Sequence, residues 1–255
     1  MICGRFVVEH YAPDDTTSRY RQGYSADNRH LSERGPDLNR QVWEAKRRAW
    51  ARQRFTIVSP SRWLAACAQQ SVLFTDAAVH VIPNPLDTVN TWRPIPRDVA
   101  RVALRLPLDK KLILTGADGG LINPYKGGDL LRISLARVVT RQSGDVELII
   151  YGQGEPATGE TWPCPVHWLG VVRDDRVLAL AYSAADVMVV PSRQDNLPNT
   201  AVEAQACGTP VVAFDIGGLP DIVIHRESGW LAKPFDTEDM AKGVLWVLGD
   251  SKRWQ

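Results

Sequence analysis

Two carboxylates, Asp195 and Glu203, lie near the start of a predicted helix. The apolar runs on either side, residues 187–190 and 211–214, are typical of buried strands, so a loop and one short helix are predicted between them. A helix that begins just after a strand directs free backbone N–H groups and the positive end of its dipole to that point, and both favour a bound anion. Carboxylates beside it can accept hydrogen bonds from sugar hydroxyls. The two acids therefore predict a site for a phosphorylated sugar.

Individual roles follow from positions in this loop and helix. Asn199 or Thr200 is expected to cap the helix. Glu203, one turn into the helix, is assigned to a vicinal diol such as that of a ribose, and Asp195, on the loop, is assigned to a hexose. The alternative is that the paired acids act only as capping residues. The predicted ligand-binding residues of this segment are Asp195, Asn196, Leu197, Asn199, Thr200 and Glu203.

The spacing of the two acids resembles the acid-x7-acid motif of the group 1 (family 4) retaining glycosyltransferases of the GT-B fold, and residues 208–212 and 217–223 follow in that family's order. The family usually has Glu at both ends, whereas Asp195 is shorter by one methylene, which bears on the choice of hexose. The resemblance implies transfer of a hexosyl group, with retention, from a nucleoside-diphosphate sugar to a glycan or lipid-linked acceptor in polysaccharide biosynthesis. It implies no metal, no cofactor and no protein nucleophile, because the donor's own phosphate is thought to help take the acceptor proton.

A second loop, residues 115–128, places Lys126 just before a predicted helix. A cation at that point opposes the helix dipole, which favours a bound anion beside it, although a solvated lysine is the alternative. Lys126 resembles the family lysine that holds the diphosphate. The usual family arginine is missing, and Ala117 and Leu121 lie near its expected place. Lys126 completes the predicted catalytic set with the two acids.

The resemblance assigns four more residues to the donor. Gly152 and Gly154, in a turn after a predicted strand, would make space beside the nucleotide, although two glycines alone are a weak dinucleotide-binding fingerprint. Val172 lies in the loop that cradles the base in relatives. Gly116 lies in the loop that leads to Lys126.

From residue 110 onward, short apolar segments alternate with amphipathic helical segments, which is typical of a parallel sheet covered on both faces. The predicted fold class is α/β, a Rossmann-like domain that corresponds to the C-terminal domain of the GT-B fold. Right-handed crossovers would bring the strand ends to one edge. The predicted strands are residues 111–115, 146–151, 166–169, 187–190 and 211–214. The predicted helices are residues 128–141, 174–184, 199–206 and 237–248.

The first part of the chain has a different pattern, with residues 1–36 predicted to be irregular. Pro94 and Pro96 indicate a linker. The predicted domains are residues 1–90, a remnant of the N-terminal, acceptor-side domain, and residues 91–255, the C-terminal nucleotide-sugar-binding domain. Compared with the family, preceding strand–helix units and a terminal helix are lacking, so a fragment is expected. The elements predicted in the first domain are a helix over residues 37–54, a strand over 55–58, a helix over 63–70 capped by Ser61, and a strand over 79–82.

Composition narrows the function classes. The 255 residues carry a net charge of +1, which gives no reason to expect nucleic acid as a partner. No apolar run approaches the roughly 20 residues that span a bilayer, and the first residues lack a signal-peptide pattern, so the cytoplasm is the expected location. Four cysteines lie far apart, which argues against a disulfide framework or a metal cage: Cys3, Cys67, Cys164 and Cys207.

Basic residues crowd the predicted helix that begins at residue 37. A solvated helix face is the simpler interpretation, and peripheral contact with anionic lipid headgroups at the inner face of a membrane is the alternative. The basic residues are Lys46, Arg47, Arg48, Arg52 and Arg54.

Two other classes of function stay open. A sugar-nucleotide 2-epimerase shares the fold and the nucleotide site, but it would release an altered sugar nucleotide without an acceptor. A non-catalytic nucleotide-sugar-binding fragment is the other alternative. A Ser-His-Asp hydrolase is not supported, because the sequence has no nucleophile elbow.

Overall fold

The computed structural model describes residues 19–31, 33–117, 120–121, 123–142, 144–156 and 161–250. The chain divides into two compact units, with the division between Asn84 and Pro85. The predicted domain boundary, between residues 90 and 91, lies within the second unit. Cys3 and the first half of the segment predicted to be irregular lie outside the described residues.

The first unit is a small helix–strand assembly. Its elements are α1 (Arg19–Gln22), α2 (Leu38–Trp50), β1 (Thr56–Ser59), α3 (Arg62–Gln69) and β2 (Ala78–Val81). Strands β1 and β2 pair in parallel. Asp37 and Ser61 cap α2 and α3 by accepting hydrogen bonds from backbone N–H groups of the first turn, as their positions predict.

The segment predicted to be irregular contains one short helix, α1. Four residues are too few for helical periodicity to be visible. The helix α1 is held by Arg19, which is buried and pairs with Asp37.

The second unit alternates strands with helices. All five strands and all four helices predicted for this region are present, with ends that differ by no more than one residue. Its elements are α4 (Arg97–Ala103), β3 (Lys111–Gly116), α5 (Gly128–Arg141), β4 (Val146–Tyr151), β5 (Val166–Gly170), α6 (Asp175–Ala184), β6 (Val187–Val190), α7 (Asn199–Ala206), β7 (Val211–Phe214), β8 (Gly229–Ala232) and α8 (Thr237–Leu248).

The six strands of this unit form one parallel sheet in the order β5-β4-β3-β6-β7-β8. The chain therefore leaves β3 toward one side of the sheet and returns to β6 on the other side. The carboxyl ends of β3 and β6 form the topological switch point, where open α/β sheets bind ligands.

Apolar residues cover both faces of the sheet, as the alternation along its strands requires. Leu112 and Leu114 of β3 face one buried cluster, and Ile113 between them faces the other. Met188 and Val190 of β6 likewise join the first cluster. The two layers hold the strand ends rigidly, so side chains in the loops beyond them are positioned by a packed scaffold.

Two elements of the second unit, β8 and α4, have weak sequence signals and were not predicted. β8 is a four-residue edge strand that begins with Gly229, and such a short segment shows no alternation. α4 follows Pro94 and Pro96, which suggested a linker. Pro96 occupies the N-cap of α4, a position at which the missing N–H is not needed.

Candidate functional site

The loops after β3 and β6 meet at the switch point through close backbone contacts. Gly127 has a φ of 68°, and a Cβ there would collide with the carbonyl oxygen of Pro191. Only glycine fits this approach without strain. The backbone N–H of Arg193 donates to the carbonyl of Tyr125 at 2.8 Å, so the two loops are also joined by a hydrogen bond.

Strands β3 and β6 separate beyond their second paired residues. Their backbone register is Ile113↔Val187 and Leu114↔Met188, and the Thr115 hydroxyl then donates to the carbonyl of Val189 at 3.0 Å. The Thr115 side chain thus takes the place of the backbone hydrogen bonds between β3 and β6 at the point where the two strands diverge. A crevice opens at that point.

Lys126 and Asp195 meet in this crevice. The Lys126 Nζ lies 2.9 Å from the Asp195 Oδ2, with both side chains half-buried, and the Ser192 hydroxyl lies 3.4 Å from the same oxygen. The backbone of Asp195 is also held in place, because its main-chain carbonyl accepts a hydrogen bond from the Gly218 N–H at 3.1 Å. One cavity is lined by Lys126, Asp195 and Thr200. The structure thus brings Lys126 together with two residues predicted from a separate segment, Asp195 and Thr200.

The start of α7 differs from the prediction. Pro198, not Asn199 or Thr200, occupies the N-cap and makes no side-chain capping bond. Asn199 is the exposed first residue of the helix. Thr200, the second residue of the helix, is half-buried and lines the cavity with Lys126.

Glu203 is held by a tyrosine. The Tyr182 hydroxyl donates to the Glu203 Oε2 at 2.8 Å, and the Tyr151 hydroxyl lies 2.9 Å from that of Tyr182. Burial raises the pKa of Glu203 above its usual range, the hydrogen bond from Tyr182 partly offsets this rise, and the negative charge of Asp175 adds to it. Burial also raises the pKa of both tyrosines, so their hydroxyls keep their protons.

The predicted glycines have different surroundings. A Cβ on Gly116 would lie 2.5 Å from the Tyr151 ring, and Gly152, at a φ of 88°, lies against the carbonyl of Ala117, which lines the cavity. Gly154 has open space around it, so no steric requirement for glycine exists there. Glycine is thus sterically required at Gly116 and Gly152, and the space-making role assigned to Gly152 and Gly154 stays a prediction.

The remaining predicted residues do not line the cavity. Val172 is half-buried against the core cluster that contains Tyr182, and Asn196 and Leu197 are half-buried in the loop before α7. Asn199 is exposed at the start of that helix, and Glu203 lies one turn further along it.

Comparison with known proteins identifies the family. The sequence profile described as Glycosyl transferases group 1 matches residues 112–250, which include every residue assigned to the site. The chain belongs to this family. The suspected resemblance is confirmed.

The relatives of this group 1 glycosyltransferase are longer than the chain. It is 37% identical over 196 residues to the D-inositol 3-phosphate glycosyltransferase of Saccharomonospora viridis, covering 71% of this chain and 45% of that protein. It thus spans less than half the length of that relative.

Solved structures confirm the GT-B fold class. Sucrose-phosphate synthase from Thermosynechococcus elongatus superposes with a TM-score of 0.69 at 26% identity, covering 91% of this chain and 56% of that one. HepE of Anabaena, in complex with UDP-glucose, superposes with a TM-score of 0.67 at 21% identity, covering 85% of this chain and 59% of that one.

The described residues contain neither a membrane-spanning helix nor a group of side chains that could hold a metal ion. No helix among those residues is long and apolar enough to cross a membrane. The same residues contain no group of three His, Cys, Asp or Glu side chains arranged to hold a metal ion.

The sequence analysis missed three polar residues that shape the site. Tyr151 and Tyr182 bond to one another beside Glu203, and Gln153 accepts a hydrogen bond from the Leu121 N–H at 2.6 Å, which joins the loops after β3 and β4. The two tyrosines were detectable in principle, because a buried tyrosine in an apolar element usually places its hydroxyl against a polar partner. Nothing in the sequence marks Gln153.

Proposed function

We propose that the second unit binds a nucleoside-diphosphate sugar and that the protein transfers the hexosyl group with retention. The single observation that carries this proposal is the convergence of the Lys126 ammonium, the Asp195 carboxylate and the Thr200 side chain on one cavity at the switch point.

Charge explains what Lys126 contributes. Cleavage of the bond between the anomeric carbon and the diphosphate places growing negative charge on the leaving group, and a positioned cation stabilises that charge. In this structure Lys126 is paired with Asp195. A bound diphosphate would replace Asp195 as the partner of Lys126 and release the carboxylate for the hexose hydroxyls.

Uracil is the first base to test, because HepE, which has the same fold, is crystallised with UDP-glucose. Inositol phosphate is the first acceptor to test, because the Saccharomonospora viridis relative is named for D-inositol 3-phosphate. The predicted glycan or lipid-linked acceptor, and a role in polysaccharide biosynthesis, belong to the same proposal and require acceptors of those classes beside it.

The test measures binding and turnover separately. Titration calorimetry with UDP-glucose should give saturable binding that Lys126→Ala weakens and Lys242→Ala, an exposed lysine of α8, leaves unchanged. Incubation with labelled UDP-, GDP- or ADP-glucose and each acceptor class should yield an α-linked product by NMR. An altered free sugar nucleotide would instead indicate epimerisation, and binding without any product would indicate a binding fragment. Absence of binding to all three donors would contradict the proposal.

We further propose that the protein is cytoplasmic and that it contacts anionic lipid through the first unit. Arg47, Arg52 and Arg54 are exposed around a cavity whose walls include Trp50 and Phe74. Within the described chain, no carboxylate lies within 4 Å of any of the three guanidinium groups. Phosphate headgroups attract such unpaired positive charge. Each basic residue near the membrane surface contributes about 1 kcal/mol to the binding free energy.

Vesicle sedimentation tests this contact. Phosphatidylcholine vesicles that contain phosphatidylglycerol should bind the wild-type protein, and vesicles of phosphatidylcholine alone should not. Reversal of all three arginines to glutamate should abolish binding, whereas reversal of Arg132, Arg137 and Arg141 on α5 should not. Equal binding by both triple variants would contradict the assignment.

A further inference from the structure

Three side chains beside the site form a continuous hydrogen-bonded chain. The Tyr151 hydroxyl bonds the Tyr182 hydroxyl at 2.9 Å, and Tyr182 bonds the Glu203 Oε2 at 2.8 Å. The members come from three elements, since Tyr151 ends β4, Tyr182 lies in α6, and Glu203 lies in α7. The chain therefore ties the helix that carries Glu203 to the packed sheet.

The ionised carboxylate fixes the direction of every bond. An ionised carboxylate can only accept hydrogen bonds, so the Tyr182 hydroxyl donates its single proton to Glu203. The Tyr182 oxygen must then accept from Tyr151, because each hydroxyl has a single proton. The direction runs from Tyr151 through Tyr182 to Glu203.

The two tyrosines in the middle are held rigidly. Tyr182 is fully buried and Tyr151 is 4% exposed. Their rings pack edge to face at 6.0 Å, and Trp92 packs on Tyr182 at 5.9 Å. Hydrogen bonds in such an environment are stronger than in water, and each one polarises the next.

The chain uses only one oxygen of Glu203. Across the described residues, Tyr182 is the one side chain that bonds this carboxylate, and it contacts Oε2. The second oxygen, Oε1, keeps both of its lone pairs for other hydroxyl groups.

We propose that Tyr182 is a positioning residue of the donor site: it holds Oε2 of Glu203 so that Oε1 receives the ribose diol, while Tyr151 holds Tyr182. This inference rests on the proposed role of Glu203. A free glutamate would have to lose rotamer freedom when the nucleotide binds, whereas this one is ordered in advance.

The charged and titratable groups around Glu203 determine how binding of the ribose diol depends on pH. Asp175 of α6 acts on it through its charge, and Cys207, on the same side as Tyr182 and Tyr151, is itself affected by the Glu203 charge. Among these groups, only the Tyr182 hydrogen bond lowers the pKa of Glu203. Its removal should therefore raise that pKa and move the loss of diol binding to higher pH.

The test is Tyr182→Phe in the full chain, which keeps the packed ring and removes the donor. Calorimetry with UDP and with 2′-deoxy-UDP should show a loss of about tenfold for UDP and a much smaller loss for the deoxy ligand. The pH midpoint of UDP binding should rise. In the Glu203→Ala background the same substitution should have no further effect, because the positioned group is gone. Tyr24→Phe, a buried tyrosine of the first unit, serves as the matched control.

The outcomes separate this inference from the proposed function. Equal losses for both ligands, or an unchanged pH midpoint, would overturn the positioning role of Tyr182 while leaving the site intact. Failure of Glu203→Ala to weaken UDP binding, or failure of the wild type to bind UDP, GDP and ADP, would overturn the proposed function itself. If Tyr182→Phe unfolds at low temperature, Tyr151→Phe replaces it, with the same ligand preference and a smaller loss expected.

Discussion

The two acids of the motif are held in opposite ways. Asp195 lies on a loop and pairs with a cation, Lys126, at 2.9 Å. Glu203 lies on a helix and accepts a hydrogen bond from a neutral phenol, Tyr182, at 2.8 Å. A ligand that carries a diphosphate competes with Asp195 for its partner, but it does not compete with Glu203 for Tyr182.

The proposed roles assign the change on ligand binding to one part of the site. At Asp195 the ion pair would have to open before a phosphate or a sugar could use either group. At Glu203 the carboxylate is already oriented by Tyr182, at the cost of burying a charge, which is why its pKa is raised. We therefore propose that the ligand rearranges the phosphate side, whereas the nucleoside side is oriented in advance.

We expect the largest effect from a substitution that disturbs the backbone next to Lys126, on the side of the site assigned to the phosphates. Gly127→Ala places a Cβ at positive φ against the carbonyl of Pro191 and should cost about 1–3 kcal/mol in the free energy of unfolding, with loss of UDP affinity. Urea unfolding measures the first effect. Gly144→Ala is the control, because Gly144 also has positive φ but no atom within 4 Å of the added Cβ. Equal costs at both positions would show that the contact with Pro191 does not matter.

Glu203→Ala should weaken UDP binding by more than tenfold, about 1.4 kcal/mol, because the ribose diol loses its acceptor inside a partly buried site. Calorimetry measures the loss, and Glu227→Ala, an exposed acid of the same unit, should leave affinity unchanged. An affinity within twofold of the wild type would remove Glu203 from the site.

Lys126→Ala should weaken UDP about fivefold to tenfold and weaken UMP less, because a lone cation at a half-exposed site contributes about 1 kcal/mol to a phosphate contact. The ratio of the two dissociation constants is the readout. Equal losses for UDP and UMP would argue against contact with the second phosphate.

Asp195→Asn should change the affinity for UDP in the opposite direction to Lys126→Ala. Removal of the negative charge frees Lys126, so the affinity for UDP should be kept or raised by a few-fold, while the added affinity of UDP-glucose over UDP should fall. Paired titrations measure both quantities. A parallel loss of UDP and UDP-glucose would contradict a role restricted to the hexose.

The smallest effect concerns stability. A carboxyl group with a raised pKa binds its proton more tightly in the folded state, so the ionised form of Glu203 destabilises the fold at neutral pH, and this cost is relieved as the pH falls. Glu203→Gln should therefore raise the melting temperature by a few degrees at pH 8. The difference should vanish near pH 4. A constant difference across this range would contradict the burial argument.

Much of the fold follows from the sequence, because buried parallel strands appear as apolar runs and the intervening helices have caps or acidic first turns. The run at residues 187–190 and the cap at Asp174 are examples. The edge strand β8 and the helix α4 were not visible, since one is short and glycine-initiated and the other follows prolines.

The site was only partly visible in the sequence. Lys126 and Asp195 were assigned separately, but their ion pair depends on how closely Gly127 approaches Pro191, which is a tertiary contact. The cap of α7 was assigned incorrectly because the helix begins one residue earlier than a polar cap would place it, with Pro198 at the N-cap. Tertiary contacts such as that of Gly127 with Pro191 leave no short-range sign in the sequence.

The most direct test of the central claim is a crystal structure of the chain in complex with UDP-glucose, or with the nucleotide sugar that calorimetry shows to bind tightest. The account predicts that the diphosphate lies within hydrogen-bond distance of the Lys126 Nζ, that the Lys126–Asp195 pair is open, and that the ribose diol contacts the Glu203 carboxylate while Tyr182 keeps its bond to Oε2. A nucleotide bound elsewhere, or a closed Lys126–Asp195 pair with the ligand present, would contradict it.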